Sequence, residues 1–227
     1  MNVKLVSYSK PTEEFIDNGI SDVQELIAYC AKVSNPAGQM NMETSGRLLN
    51  YLIKHKHWSP FEMASATLEI ETTRDIARQM LRHRSFAFQE FSQRYADPTK
   101  DLDFVLREAR LQDTVNRQNS IEIDIEGSDE HRQIAYGWEQ MQQRVIDEAK
   151  NAYAWAIEKG IAKEQARAVL PEGNTVSRLY MQGSIRSWIH FIELRSGNGT
   201  QKEHIEVARA CAKAIVGIFP LADEFVE

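Results

Sequence analysis

The stretch "EMASATLEIETTRDIARQMLRHR", residues 62–84, changes its hydrophobic period half-way along. In its first half Ala64, Ala66, Leu68 and Ile70 alternate with Ser65, Thr67, Glu69 and Glu71. Alternation of this kind puts the apolar side chains on one face of an extended chain, so a half-buried strand is expected. From Arg74 the apolar positions become Ile76, Ala77, Met80 and Leu81, the spacing of one side of a helix that reaches about Arg84. A strand with one polar face that feeds straight into a helix calls for an α/β (α+β) fold, with a central antiparallel or mixed sheet flanked by helices.

The flanking sequence fills in that plan. "VKLVSY" near the start alternates and is β-branched, so it reads as an opening strand. Ser21 is placed to cap a helix through "DVQELIAYCAKVS", stopped near Asn35-Pro36. "SGRLLNYLIKHK" carries Leu48, Leu49, Leu52 and Ile53 at helical spacing, and "HKHWSP" breaks it. "DLDFVLRE" is expected as a further strand, and the acidic "EIDIEGSDE" as a loop. From His131 to Lys159 a long helix is expected, with Ile134, Trp138, Met141, Val145, Ala149, Ala152 and Ala156 as its stripe. A short helix, "KEQARAVL", stops at Pro171, and "SIRSWIHFIELR" should turn Ile185, Trp188, Ile189 and Ile192 inward. Gly197 and Gly199 precede a last helix, Gln201 to Ile218. With no repeat, low-complexity run or linker, residues 1–227 read as one domain.

Charge and cysteine content remove whole classes of function. Lys and Arg total 27 against 33 Asp and Glu, a net charge of −6, which argues against a surface that coats nucleic acid. Cys30 and Cys211 each sit among small apolar residues, and no CxxC pair suggests a metal ribbon or a disulfide framework. Neither an apolar leader nor a membrane-length stretch is visible, so a cytoplasmic protein without a membrane partner is expected. In that setting the Asn198-Gly199-Thr200 sequon is read as chance.

Against the acidic balance, "RHRSFAFQEFSQRY" at residues 82–95 gathers three arginines and a histidine. The cations of "RHR" suit the negative end of a helix. "FQEFSQRY" reads as a strand, with Phe88, Glu90, Ser92 and Arg94 on one side. An acceptor, a hydroxyl and a bidentate donor would then stand in a row, with Gln79 and Arg82 aimed near the same place from the helix. Such a row can grip a phosphorylated ligand with hydrogen-bonding edges, or it can be a solvated face with a weak ion pair. Single-stranded RNA cradled by the arginines with Phe86, Phe88, Phe91 and Tyr95 is a second reading. A metal-dependent hydrolase built on His55, His57 and Glu62 is a third, although these histidines alternate about a turn rather than stack on a helix.

Arg82-His83-Arg84, followed by Ser92, Arg94 and Tyr95, resembles the signature of the flavin-dependent thymidylate synthases. "HKHWSPFEMA", "ARAVLP" and "HFIELR" are similar to further segments of that family in the same order, from about His55 to Arg195. The chain departs from the family at Ala87 and Gln89, where Ser and Asn are common, and at His190, where Asn is common. The resemblance implies reductive methylation of dUMP to dTMP, without an enzyme nucleophile and without a metal. The carbon would come from 5,10-methylenetetrahydrofolate and the electrons from NADPH by way of FAD. It implies a homotetramer with FAD between subunits. It places His57, Ser59, Arg82, His83, Arg84, Glu90, Ser184, Arg186 and His190 at FAD. It places Gln79, Arg82, Glu90, Ser92, Arg94, Arg167 and Arg195 at dUMP. Arg195 is the catalytic residue it implies, facing the uracil ring, while His57 and Tyr95 would border the entrance for folate or nicotinamide.

Overall fold

A computed structural model describes residues 1–197 and 199–226. The sequon's Asn198 lies outside the described residues. The chain opens with β1 (Asn2–Tyr8), followed by α1 (Glu13–Asp17), α2 (Val23–Ala31) and α3 (Ser45–Lys54). β2 (Ser65–Thr73) runs directly into α4 (Arg74–Met80), and β3 (Ala87–Glu90) and α5 (Pro98–Asp101) follow. A hairpin of β4 (Arg110–Gln112) and β5 (Ser120–Glu122) precedes the long α6 (Asp129–Glu158). After α7 (Lys163–Ala166) come β6 (Val176–Ser184), α8 (Ile185–Ser196) and α9 (Lys202–Val216).

The main sheet has the order β1-β2-β6-β3, and every neighbouring pair is antiparallel. The fold is therefore α+β, with an antiparallel rather than a mixed sheet. β2 and β6 pair along their whole length, setting Leu68 opposite Met181 and Ile70 opposite Leu179. These four residues and Ala66 bury one sheet face in a core shared with Ile27 and Leu49 of α2 and α3, Ile189 of α8 and Val207 of α9. The other face is polar: Arg178 bonds Glu71 across the strands, and the Tyr180 hydroxyl donates to Glu69 at 2.8 Å. Trp188 fastens α8 to the sheet by donating its indole N–H to the Ala66 carbonyl at 3.0 Å. Gly183 makes room for Phe86, since a Cβ there would lie 2.5 Å from the ring. Phe86 in turn meets Trp188 edge-on at 4.8 Å, holding the "RHR" segment against the core.

Local details depart from the sequence expectations. Asp22, not Ser21, caps α2 by accepting from the Glu25 N–H at 2.8 Å, and α2 ends at Ala31. The Ser21 hydroxyl donates to the Glu25 carboxylate instead. α4 stops at Met80, short of Arg84, and the chain turns through Arg82–Phe86 to reach β3. β3 itself ends at Glu90, because Ser92 begins a turn whose carbonyl accepts from Tyr95 and Ala96. Residues 101–108 form no strand and meet the start of β6 through one bridge, Phe104 to Thr175.

The stripe read from the spacing of α6 lies mostly on its outer face. Ile134, Trp138, Met141 and Val145 are 39–56% exposed, whereas Gln142, Ile146, Ala149, Tyr153 and Ala156 are buried. The helix docks through the Gln142 amide, which exchanges hydrogen bonds with the Arg107 backbone at 2.8 and 2.9 Å. A hydrophobic period names a stripe, but not the surface that covers it. Among the described residues, no helix is long and apolar enough to cross a membrane.

Candidate functional site

α8 carries the site on two sides. Towards its C-terminal end, Arg195 donates Nε–H to the Nε2 of His83 at 2.9 Å, joining the "HFIELR" helix to the turn after α4. His83 packs its ring edge-on against Phe191 at 5.0 Å. Burial, with the cations of Arg195 and Arg82, pushes its pKa down to about 4. At neutral pH it is thus a neutral imidazole that accepts through Nε2. Burial and the nearby Arg82 also lower the pKa of Arg195, yet a guanidinium so placed remains a cation. Gln79, from α4, is hydrogen-bonded to Gln201 at 3.0 Å and to His204 at 3.2 Å on the same side. Arg82 and Arg84 stand exposed at the edge of this group.

Towards the start of α8 a second group forms. Ser184 caps the helix by accepting from the Ser187 N–H at 3.2 Å. Arg186 donates to Glu62 at 2.8 Å, and His190 meets Trp58 edge-on at 4.8 Å. The Ser184 hydroxyl, followed by Arg186, holds the Glu62 carboxyl below its ordinary range. Burial, aided by Arg186, pushes the His190 ring the same way and keeps it neutral. Ser59 and His57 are exposed beside this group. Glu62 is thus committed to Ser184 and Arg186, and His55 and His57 sit 6.2 Å apart between ring centres, contacting Tyr51. That arrangement differs from the one a hydrolase reading of these three residues needs.

Two further groups depart from the row expected along 88–94. Glu90 turns to β6, accepting from the Ser177 hydroxyl at 2.7 Å and from Arg74 at 3.4 Å. Beyond the turn at Ser92, Arg94 pairs with the Glu164 carboxylate at 3.2 Å. Arg167 donates to the Glu164 carbonyl at 3.3 Å, so one residue of α7 gathers both arginines. Ser92 accepts from the Arg94 N–H at 3.4 Å and, among the described residues, has no side-chain base in hydrogen-bond contact. Tyr95 is 81% exposed. The buried thiol of Cys211 has its pKa pushed up, and Cys30 is raised by burial as well, so neither is an activated nucleophile.

The predicted residues therefore fall into one Gln79–His83–Arg195 group, one Ser59–Ser184–Arg186–His190 group, an inward-turned Glu90 and an Arg94–Arg167 pair. A cavity of about 630 Å³ lies elsewhere, lined by residues such as Glu71, Asp103, Arg107, Arg178 and Glu203, none of them predicted. Sequence reasoning missed the partners Arg74, Ser177, Glu164, Gln201 and His204. Of these only His204 left a readable trace: it shares the buried stripe of α9 with Val207, Ala208, Cys211 and Ile215, a polar residue at apolar spacing.

Comparison with known proteins gives these groups a setting. Residues 16–221 match the family model described as Thymidylate synthase complementing protein. A protein of Paramecium bursaria Chlorella virus 1 named "Probable flavin-dependent thymidylate synthase" is 48% identical over 97% of this chain and 96% of its own. The flavin-dependent thymidylate synthase of a Synechocystis strain is also 48% identical, over 97% of this chain and 96% of its own. Among solved structures, the UMP/dUMP methylase PolB from Streptomyces cacaoi, bound with 5-Br dUMP, superposes with a TM-score of 0.76 at 26% identity. That match covers 99% of this chain and 93% of the other.

Proposed function

Because this chain belongs to the flavin-dependent thymidylate synthase family, we propose that its residues 1–227 form one catalytic domain that converts dUMP to dTMP. The carbon donor is 5,10-methylenetetrahydrofolate, the reductant is NADPH, and the flavin is FAD. The observation that carries this reading is the contact of Arg195 with His83. It unites the two segments that bear the family signature, 112 residues apart, in one half-buried cationic group.

The donor set suits FAD. Arg82, Arg84 and Arg186 offer forked donors for a diphosphate, Ser59 and Ser184 offer hydroxyls, and the neutral rings of His83 and His190 can lie against a flat heterocycle without adding charge. His57 stands at the open side. Glu90, held by Ser177 and Arg74, presents its remaining acceptor positions to either ligand. Bound flavin supplies the reducing electrons that the new methyl group requires.

The protein's own part is binding and charge placement. Arg94 and Arg167, gathered by Glu164, suit the nucleotide 5′-phosphate, and Ser92 donates to the substrate. Arg195 faces the uracil ring and stabilises negative charge on the imide once the N3 proton leaves. Electron density then moves towards C5, the carbon that takes the new group. With Ser92 lacking a base and Cys211 buried, no side chain among the described residues is poised to attack C6.

The assembly is a homotetramer, and FAD lies between its subunits. Two features support this. The separate groups border the surface of one chain instead of closing a pocket, and α6 exposes an apolar stripe that continues to Trp155, 57% exposed. The protein works in the cytoplasm. The test is direct: the purified protein should show the visible spectrum of oxidised flavin and oxidise NADPH faster when dUMP is present. A colourless protein that binds oligonucleotides in a salt-dependent way would favour the RNA reading instead.

A further inference from the structure

His204 is fully buried in α9, between the Phe191 ring at 5.8 Å and the His83 ring at 6.5 Å. Its Nδ1 lies 3.2 Å from the Oε1 of Gln79. The other end of the same amide is already engaged, since Gln79 Nε2 donates to Gln201 Oε1 at 3.0 Å. The atom facing His204 is therefore a carbonyl oxygen, which can only accept, so His204 carries its proton on Nδ1 and donates. Its Nε2 is then a bare lone pair, buried and without a hydrogen-bond partner among the described residues. Protonation there would orphan an N–H and add a cation beside Arg195 and His83. Burial first, then those two neighbours, push its pKa down to about 3. Across the neutral range His204 offers a single fixed donor, and that donor is spent on Gln79.

We propose that His204 is a positioning residue which, with Gln201, clamps the Gln79 amide in one orientation for recognition of the pyrimidine edge. The clamp uses one N–H and one carbonyl lone pair of the amide. One N–H and one lone pair remain, a donor and an acceptor for the alternating carbonyl and N3–H groups of a uracil ring. A free glutamine would lose rotamer freedom on binding; a clamped one has lost it already. The inference rests on the assignment of Gln79 to dUMP, and the experiment separates the two.

The test compares His204→Leu, His204→Asn, Gln201→Leu and Gln79→Leu in the full-length protein with flavin bound, at saturating methylenetetrahydrofolate and NADPH. His204→Leu should raise the KM for dUMP roughly three- to tenfold, with kcat and melting temperature little changed, because it removes the donor together with the unpartnered Nε2. His204→Asn, whose amide N–H takes the place of Nδ1–H, should restore most of the affinity. Gln201→Leu, at an exposed position, should raise the KM by a similar factor and keeps the test valid if the buried leucine fails to fold. Gln79→Leu should raise it more, and adding His204→Leu should then change nothing further. If Gln79→Leu alone leaves the KM unchanged, the assignment of Gln79 is wrong and the clamp goes with it. If Gln79→Leu raises the KM while Gln201→Leu does not, or His204→Asn behaves like the leucine variant, the clamp is wrong and the assignment stands.

Discussion

Arg195 and His83 hold each other in a defined state: the guanidinium Nε–H points at a ring nitrogen that is unprotonated at neutral pH. Of this pair only one member is charged, and it is the group that cannot lose its charge. The histidine orients the arginine, and the arginine helps keep the histidine neutral.

Replacing Arg195 with alanine removes the charge assigned to the uracil ring and leaves intact the residues at the start of α8 that are assigned to flavin. Methylation should fall by about 100- to 1,000-fold. The flavin-to-protein ratio, read from the visible spectrum, should stay near that of the unaltered protein. Loss of flavin with full activity per bound flavin would remove Arg195 from its assigned role.

The depressed pKa of His83 makes stability pH-dependent with a definite sign. An unfolded histidine takes up a proton near its ordinary value of about 6.5, whereas the folded one resists until about 4. Between those values the unfolded state binds more protons, so stability is full above the window and falls as the pH drops through it. His83→Gln should flatten that slope by about one proton in denaturant titrations from pH 4 to 6.5. An unchanged slope would mean that His83 titrates normally in the fold.

Arg94 and Arg167 converge on Glu164 and are assigned to the 5′-phosphate. Alanine at either position should weaken dUMP binding by roughly 10- to 100-fold, since each removes a charge-assisted contact. The same variants should bind deoxyuridine, which lacks the phosphate, as the unaltered protein does. An equal loss for both ligands would place the arginines elsewhere.

Gly183 touches the Phe86 ring wherever a Cβ would stand. Gly183→Ala should lower stability by about 1–3 kcal/mol, measured by denaturant unfolding, as Phe86 is forced off Trp188. Adding Phe86→Ala should bring a loss smaller than the sum of the two single losses, because the clash is then gone.

The outer stripe of α6 should lie between subunits. Trp138→Glu or Val145→Glu would set a carboxylate in that contact and should shift sedimentation towards smaller species. Flavin content should fall in parallel if, as proposed, the cofactor lies between subunits. A tetramer that persists in both variants would put the interface on another face.

The local elements were legible because they depend on neighbours in the chain. The alternation of Ala64 to Ile70 and the helical spacing of Ile76, Ala77 and Met80 made β2 and α4 readable without any knowledge of their surroundings. The signature residues were legible too, since Arg82, His83, Arg84 and Arg195 stand at recognisable spacings. Which residues each of them meets was not. The row along residues 88–94 failed because the Ser92 turn breaks the extended chain, and a few backbone hydrogen bonds outweigh a weak strand preference.

Sequence alone determined the α+β class, the positions of the major elements and the family signature, all set by periodicity and local chemistry. Only the tertiary structure decided that the sheet is wholly antiparallel, that α6 turns its tryptophan stripe outward, and that His204 stands behind Gln79. Each of those depends on contacts between residues far apart in the chain, with 125 positions separating His204 from Gln79. A residue's partner at such a separation is selected by the packing of the whole core, and no local pattern encodes it.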